Sequence, residues 1–233
     1  MTAPSSSPPI DCNRLLSLLR VPVLPAAFLF DLDGTLVDSN TYHVQTWAAI
    51  AERHHLPLAD PEHIGKCGLP TLDVITTLLR WPVTPAEAVA LGEEKEALYR
   101  DWIRTRGIAQ IPGAVEFIRR AHASGIKIAV ATSAPRENLD ACLDALQLRP
   151  YLAATVSSAD VPPGRGKPHP DIFLLAADRT HTPPSRCYAF EDAPAGVAAA
   201  LAAHMPVLAL LTSHPAADLA AATAILPSFR PLL

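Results

Sequence analysis

Apolar and polar positions follow a block pattern along most of the chain. The short apolar runs at 26–30 (AAFLF), 126–131 (IKIAVA), 152–156 (LAATV), 186–190 (RCYAF) and 206–211 (PVLALL) have the length of buried strands. Amphipathic stretches of helical length separate or follow the later runs, at 113–124, 136–147, 169–179, 194–204 and 215–223. Such alternation predicts an α/β fold in which a parallel sheet carries helices on both faces. One interval departs from it. Between Asp38 and about Gly107 there is no strand pattern, only helical ones such as YHVQTWAAIAERHH and PAEAVALGEEKEALYRDWIR. The rhythm resumes at Pro112-Gly113, so the expected organisation is a core of residues 26–38 and 107–233 interrupted by an all-helical cap over 39–106. Residues 1–25, with PSSSPP followed by NRLLSLLRVPVLP, read as an N-terminal extension with one docking helix.

Composition narrows the function. The 233 residues carry a net charge of −4, only 18% are charged, and the basic ones are scattered, so nothing resembles a footprint for nucleic acid or an anionic membrane. Small-molecule chemistry is the expectation. Cys12, Cys67, Cys142 and Cys187 form neither a CxxC pair nor a zinc-spaced cluster and read as reduced thiols. The N-terminus lacks a basic segment followed by an apolar one, and no apolar run has the length of a membrane span, so a cytoplasmic protein is expected, as a monomer or weak homodimer. Most of the 24 prolines fall between elements, where they set turns and helix starts.

In parallel sheets, ligands bind beyond the carboxyl ends of the strands, so polar residues directly after apolar runs are the informative ones. Four places qualify: Asp31 and Asp33, Thr132 and Ser133, Lys167, and the pair Glu191-Asp192. Four carboxylates at one sheet edge repel one another, each pair by about 4 kcal/mol at 4 Å and an effective dielectric of 20. A cation is therefore required. Mg²⁺ suits an oxygen-rich set that shares its shell with phosphate and water. A hydroxyl such as that of Thr132, at a strand end opening a helix, suits a phosphate oxygen. Each element alone has an ordinary reading as a turn, a helix cap or a surface loop. Their occurrence in order at four successive strand ends does not.

These residues carry a resemblance. DLDGTLVDS, IAVATS, GKPHPDIF and FEDAPAGV resemble the four motifs of the haloacid dehalogenase superfamily of aspartyl phosphotransferases, over about residues 26–212. The insert resembles the helical cap of the β-phosphoglucomutase and sugar-phosphatase branch. The resemblance implies a Rossmann-like three-layer core with a small helical cap, Asp31 as nucleophile and Asp33 as acid and then base. It also implies Mg²⁺ held by the Asp31 side chain, the Asp33 carbonyl and Asp192, with Glu191 acting through water or as an alternative ligand. Phosphate oxygens would be held by Thr132, Ser133 and Lys167. Gly34 would permit the sharp turn and Thr35 would stabilise it.

Within the cap, GKCGLPT (65–71) matches the family's specificity loop, which makes Lys66, Gly68 and Thr71 candidate substrate contacts; the glycines could equally end and turn helices. His43 and Trp47 lie one helical turn apart, as core residues often do, yet the β-phosphoglucomutases have a comparable pair here and a cap lysine that Lys95 matches. His43 and Lys95 are therefore also candidates. Where those mutases place an arginine for the far phosphate, this chain aligns Thr71, and no arginine occurs between Arg53 and Arg80. The leading expectation is a Mg²⁺-dependent phosphatase of small sugar or polyol phosphates, with a β-phosphoglucomutase as alternative. A phospho-accepting signalling domain is disfavoured by chain order, and a dehalogenase by its lack of need for Asp33 and the acid pair.

Overall fold

A computed structural model describes residues 9–10, 16, 24–58, 64 and 71–233. Six parallel strands form one sheet: β1 (Ala27–Phe30), β2 (Lys127–Ala131), β3 (Ala154–Val156), β4 (Cys187–Glu191), β5 (Val207–Leu210) and β6 (Ala224–Leu226), in the order β3-β2-β1-β4-β5-β6. The chain winds one way from β1 to β3 and the other way from β4 to β6. That leaves a crevice beyond the carboxyl ends of β1 and β4, the place where ligands bind in such sheets.

Side-chain alternation along β1 explains why a continuous apolar run was needed. Phe28 and Phe30 enter one core layer and Ala27 and Leu29 the other. On the first face Phe30 stacks on Phe190 at 4.6 Å, and Phe28 on Phe117 at 5.5 Å, each ring contributing roughly 1.5–3 kcal/mol by burial. This aromatic block lies directly under the strand ends. Helices α4 (Ala114–Ala123), α5 (Arg136–Ala145), α6 (Asp171–Arg179) and α7 (Pro194–Ala202) cover the sheet. Cys142 and Cys187 are free and buried. Among the described residues no helix is long and apolar enough to cross a membrane.

The insert after β1 is helical as expected. It contains α1 (Asn40–Arg53), α2 (Thr71–Asp73) running on as a π-helical segment (Val74–Leu79), and α3 (Pro85–Arg106). Its own apolar cluster includes Trp47, Ile50, Ile75, Trp81 and Leu91. Helix α3 begins with Pro85 after a reciprocal cap: Glu87 N donates to Thr84 Oγ1 (3.3 Å) and Thr84 N to Glu87 Oε2 (2.7 Å). Two crossings join insert and core as a short antiparallel ribbon. Asp38 N donates to the Ala109 carbonyl (2.8 Å), Ile111 N to that of Leu36 (2.9 Å), and Val37 bridges Gln110.

One expectation needs correction. The helix expected at 215–223 is a series of turns, with Asp218 N bonded to Pro215 O, Leu219 N to Ala216 O and Ala222 N to Leu219 O; β6 follows, which the sequence did not suggest. Buried Leu219 and the β5–β6 pairing decide against the helix that the alanines favour. Most of residues 1–25 lies outside the described residues, as do Cys12, Cys67, Lys66 and Gly68. Ile10 is buried, and its amide donates to Ser124 Oγ at 2.8 Å.

Candidate active site

The end of β1 turns at once. Gly34 adopts φ +73°, its amide donates to Val37 O (2.8 Å), and Leu36 N returns to Leu32 O. A side chain at Gly34 would place its Cβ 2.0 Å from Asp192 Oδ2, so only glycine lets this loop lie against the acid pair. Thr35 is buried and donates to Asp192 Oδ1 at 3.4 Å. The same closeness recurs at Gly196 in α7, where a Cβ would stand 1.8 Å from Glu191 Oε1.

The strand ends bring Asp31, Glu191 and Asp192 together with one carboxylate oxygen each inside 4.8 Å, all three buried. Lys167 reaches in from the loop before α6 and donates to Asp31 Oδ1 and, at 2.6 Å, to Glu191 Oε1. Glu191 Oε2 accepts from the amides of Asp192 (3.0 Å) and Ala193 (3.2 Å), so its oxygens are largely engaged by the protein. Thr132, Ser133 and Lys167 line the same cavity, of about 1270 Å³, and Thr132 Oγ1 accepts from Ala134 N at 3.0 Å.

Crowding shows in the protonation equilibria. Burial, aided by the charges of Glu191, Asp192 and Asp33, outweighs Lys167 and pushes Asp31 well above the usual carboxylate range. Asp192 is pushed up to about 7 by burial and then by Glu191. Burial opposes the Lys167 ammonium, but Asp31 and Glu191 prevail and raise its pKa. Asp31 and Asp192, hard oxygen donors whose charges burial and nearby carboxylates disfavour, fit a divalent cation with Glu191 beside them. Asp33 behaves differently. Burial would raise its pKa, but hydrogen bonds from His43 and Ser39 and the charge of Lys95 lower it.

The cap supplies this second set of partners. Lys95, 2% exposed, donates to His43 Nδ1 at 2.9 Å, which leaves the ring hydrogen on Nε2, 3.5 Å from Asp33 Oδ1. His43 and Lys95 line the cavity, and so does Trp47, whose ring packs against Trp81 in the cap core and lies under Lys95 Nζ at 5.3 Å. Thr71 lines the cavity and donates to Glu96 Oε1. Glu96 also accepts from Lys95 Nζ (2.9 Å) and from Asn138 Nδ2 of α5 (2.6 Å), while Arg100 donates to Asn138 Oδ1 at 3.0 Å. Cap and core meet across this seam.

Several site residues were not anticipated. Tyr99, one turn after Lys95, donates to Asp33 Oδ1 at 3.4 Å. Ser213 bonds to the Asp192 carboxylate, and His214 Nδ1 donates to the Asp192 carbonyl at 3.1 Å. The signal was present: Thr212-Ser213-His214 directly follows the fifth apolar run.

Comparison with known proteins agrees with this geometry. The family model of haloacid dehalogenase-like hydrolases matches residues 25–204. The chain is 35% identical over 188 residues to hexitol phosphatase A of Escherichia coli, covering 78% of this chain and 82% of that one. It is 30% identical over 206 residues to validoxylamine A 7'-phosphate phosphatase of Streptomyces hygroscopicus subsp. limoneus, covering 85% and 91%. Among solved structures, CbbY from Rhodobacter sphaeroides in complex with phosphate superposes with a TM-score of 0.78 and 26% identity, over 88% of this chain and 95% of that one.

Proposed function

The chain belongs to the haloacid dehalogenase-like hydrolases and is a phosphoric monoester hydrolase, and we propose that it is a Mg²⁺-dependent phosphatase of small sugar or polyol phosphates working through an aspartyl phosphate. The observation that carries this reading is the convergence of Asp31 with Lys167, Glu191 and Asp192 in one buried cluster beside a strand-end hydroxyl.

Asp31 acts as the nucleophile: its oxygen forms a bond to phosphorus as the bond to the leaving alcohol oxygen breaks. Lys167 steadies the Asp31 carboxylate and, with Thr132 and Ser133, faces the phosphoryl oxygens. Asp33 delivers a proton to the leaving oxygen. The same residue then takes a proton from water, which attacks phosphorus, breaks the acyl-phosphate bond and returns Asp31 with release of phosphate. Because His43, Ser39 and Lys95 favour the Asp33 carboxylate, the proton it delivers is weakly held and readily given up. Mg²⁺ would be held by the carboxylates of Asp31 and Asp192 and the Asp33 carbonyl, with Glu191 turned toward Lys167; when bound it offsets carboxylate charge and polarises a phosphoryl oxygen. The cap residues exclude water from the closed cavity.

Water is the favoured acceptor over a second sugar hydroxyl, because Thr71 is bonded to Glu96 where a mutase needs a cation for the far phosphate. Phosphate release from a panel of sugar phosphates, polyol phosphates, phosphoglycolate and nucleotides, with Mg²⁺ and with chelator, tests the reading. Mg²⁺-dependent release from sugar or polyol phosphates, abolished by Asp31→Asn, is expected. Interconversion of glucose 1- and 6-phosphates outpacing release, or turnover by Asp31→Asn above a few per cent of wild type, overturns it.

A further inference from the structure

The acid groups stand on two turns whose strands part at their ends. β1 and β4 pair as far as Phe30 and Phe190, and Asp31 N still donates to the Phe190 carbonyl at 2.9 Å. Past that point, among the described residues, no backbone hydrogen bond joins residues 32–34 to residues 191–193. Thr35 Oγ1 reaches across to Asp192 Oδ1, but at 3.4 Å. An octahedral Mg²⁺ with oxygens at about 2.0–2.1 Å tolerates little error in the spacing of such turns.

The residues after β5 span this gap. β5 lies beside β4, with Ala209 opposite Glu191, and Leu211 N donates to the Leu226 carbonyl of β6 at 2.9 Å, so the chain is still fixed to the sheet where residues 212–214 begin. Three consecutive side chains then reach the two turns. Thr212 Oγ1 donates to the Gly34 carbonyl at 2.5 Å, in the peptide next to the Asp33 carbonyl. His214 Nδ1 donates to the Asp192 carbonyl at 3.1 Å. Ser213 stands between them: its hydroxyl bonds to the Asp192 carboxylate, and its Oγ would lie 2.5 Å from a Cβ at Gly34. Each residue holds a different group, and together they fasten the β1 turn to the β4 turn. Thr212 is exposed, and Ser213 and His214 are half-buried in the cavity wall. A bond that water can replace adds little stability, so what these contacts supply is position.

We propose that Thr212, Ser213 and His214 are positioning residues of the cation site: they clamp the turn that carries Asp31 and Asp33 to the turn that carries Asp192, at the spacing of an octahedral Mg²⁺, and thereby favour that ion over Ca²⁺. They act through the ligands and not as ligands. The inference rests on the phosphatase reading, with its Mg²⁺, and deepens it. Ca²⁺ accepts more oxygens at longer and more variable distances, so a site that loosens loses Mg²⁺ first. Residues that orient metal ligands from outside are typically worth about 10- to 100-fold in affinity or activity.

Calorimetric titration of the chelator-stripped full chain with Mg²⁺ and with Ca²⁺ provides the test, for wild type, Thr212→Val, Thr212→Ser, Ser213→Ala and His214→Phe. Thr212→Val and His214→Phe are each expected to weaken Mg²⁺ binding at least about tenfold and Ca²⁺ binding by less than about threefold. Thr212→Ser, which keeps the hydroxyl, should bind both ions as wild type does. Ser213→Ala, which removes one small group, should lower the same selectivity, and it decides the question if a larger change prevents folding. In phosphate release the loss should appear mainly as a higher Mg²⁺ concentration for half-maximal rate, and less in the rate at saturating Mg²⁺. Wild-type Mg²⁺ affinity in the folded variants overturns the inference. An equal loss of Mg²⁺ and Ca²⁺ overturns it too, since general loosening of the fold would do that. Either result leaves the phosphatase reading standing as long as wild type releases phosphate with Mg²⁺ and not with chelator. No Mg²⁺-dependent release by wild type from the wider panel removes the phosphatase reading, and the inference with it.

Discussion

Tyr99 lies flat against His43, ring centroids 4.4 Å apart and planes 7° from parallel, and both side chains face the same oxygen of Asp33. One residue comes from α3 and the other from α1, so the Asp33 carboxylate, which belongs to the core, is contacted from the insert; on the proposed mechanism the insert thereby orients the acid-base group. Burial, and then the charge of Asp33, raises the Tyr99 pKa well above its ordinary value, which keeps the hydroxyl a donor throughout the working range. Tyr99→Phe removes that donor and leaves the stacked ring. The expected result is a loss of about three- to tenfold in kcat on sugar phosphates, in keeping with a long hydrogen bond to a charged group. Steady-state phosphate release measures it, and an unchanged kcat would show that His43 and Ser39 suffice to orient Asp33.

His43→Ala should alter the pH profile as well as the rate. His43 lowers the Asp33 pKa through its hydrogen bond, acting against burial, so its removal raises that pKa. A general acid with a raised pKa keeps its proton to higher pH. The descending limb of kcat/KM assigned to Asp33 should therefore move upward in pH, while the maximum falls by about tenfold or more through lost orientation. A pH–rate series on wild type and variant decides this; a limb that stays in place or moves down contradicts the assignment.

Folding stability should report the acid cluster without any turnover. Asp192, raised from an ordinary carboxylate value to about 7, binds more protons folded than unfolded between roughly pH 4 and 7, and Asp31 shifts in the same direction. Stability of the metal-free protein is thus greater at the acid end of that window and declines as pH rises through it. A cation bound to the carboxylates removes the decline. Thermal melts with chelator should lose about 5 °C or more from this source between pH 5 and 7.5, and Mg²⁺ should restore more at pH 7.5 than at pH 5. The opposite slope, or equal Mg²⁺ effects at both pH values, would contradict the clustering.

Gly196→Ala tests the close packing of α7 on the acid pair. A Cβ there would meet Glu191 Oε1 at 1.8 Å and Oε2 at 2.3 Å, so either the helix or Glu191 must shift. Displacing Glu191 breaks its bonds with Lys167 and with two backbone amides. Destabilisation of about 3 kcal/mol is expected, with activity lost in parallel. Denaturant unfolding measures the first. A variant as stable as wild type would show that the site tolerates a looser arrangement.

The parts legible in sequence were those where one physical rule dominated. Phe28 to Phe30 and Tyr188 to Phe190 read as strands because a parallel sheet buries both faces, and the polar residues that follow them mark the ligand edge. The seam between cap and core was not legible. Glu96 and Asn138 lie 42 residues apart in two ordinary-looking helices, and only the folded arrangement makes them partners. At 215–223 local preference misled, because alanine favours a helix wherever packing is indifferent and here it is not. Ala224–Leu226 is three residues long, too short to display a period.

The ribbon joining cap and core has a further consequence. Asp38 to Ala109 and Leu36 to Ile111 tie two neighbouring strands of chain side by side, so the cap hangs from a paired hinge instead of from one tether. A paired connection resists twist and sliding more than a single tether does. Any rotation of the insert away from the core would part Glu96 from Asn138. The same rotation would withdraw Tyr99 and His43 from Asp33, so the surroundings of that carboxylate depend on how the insert sits against the sheet.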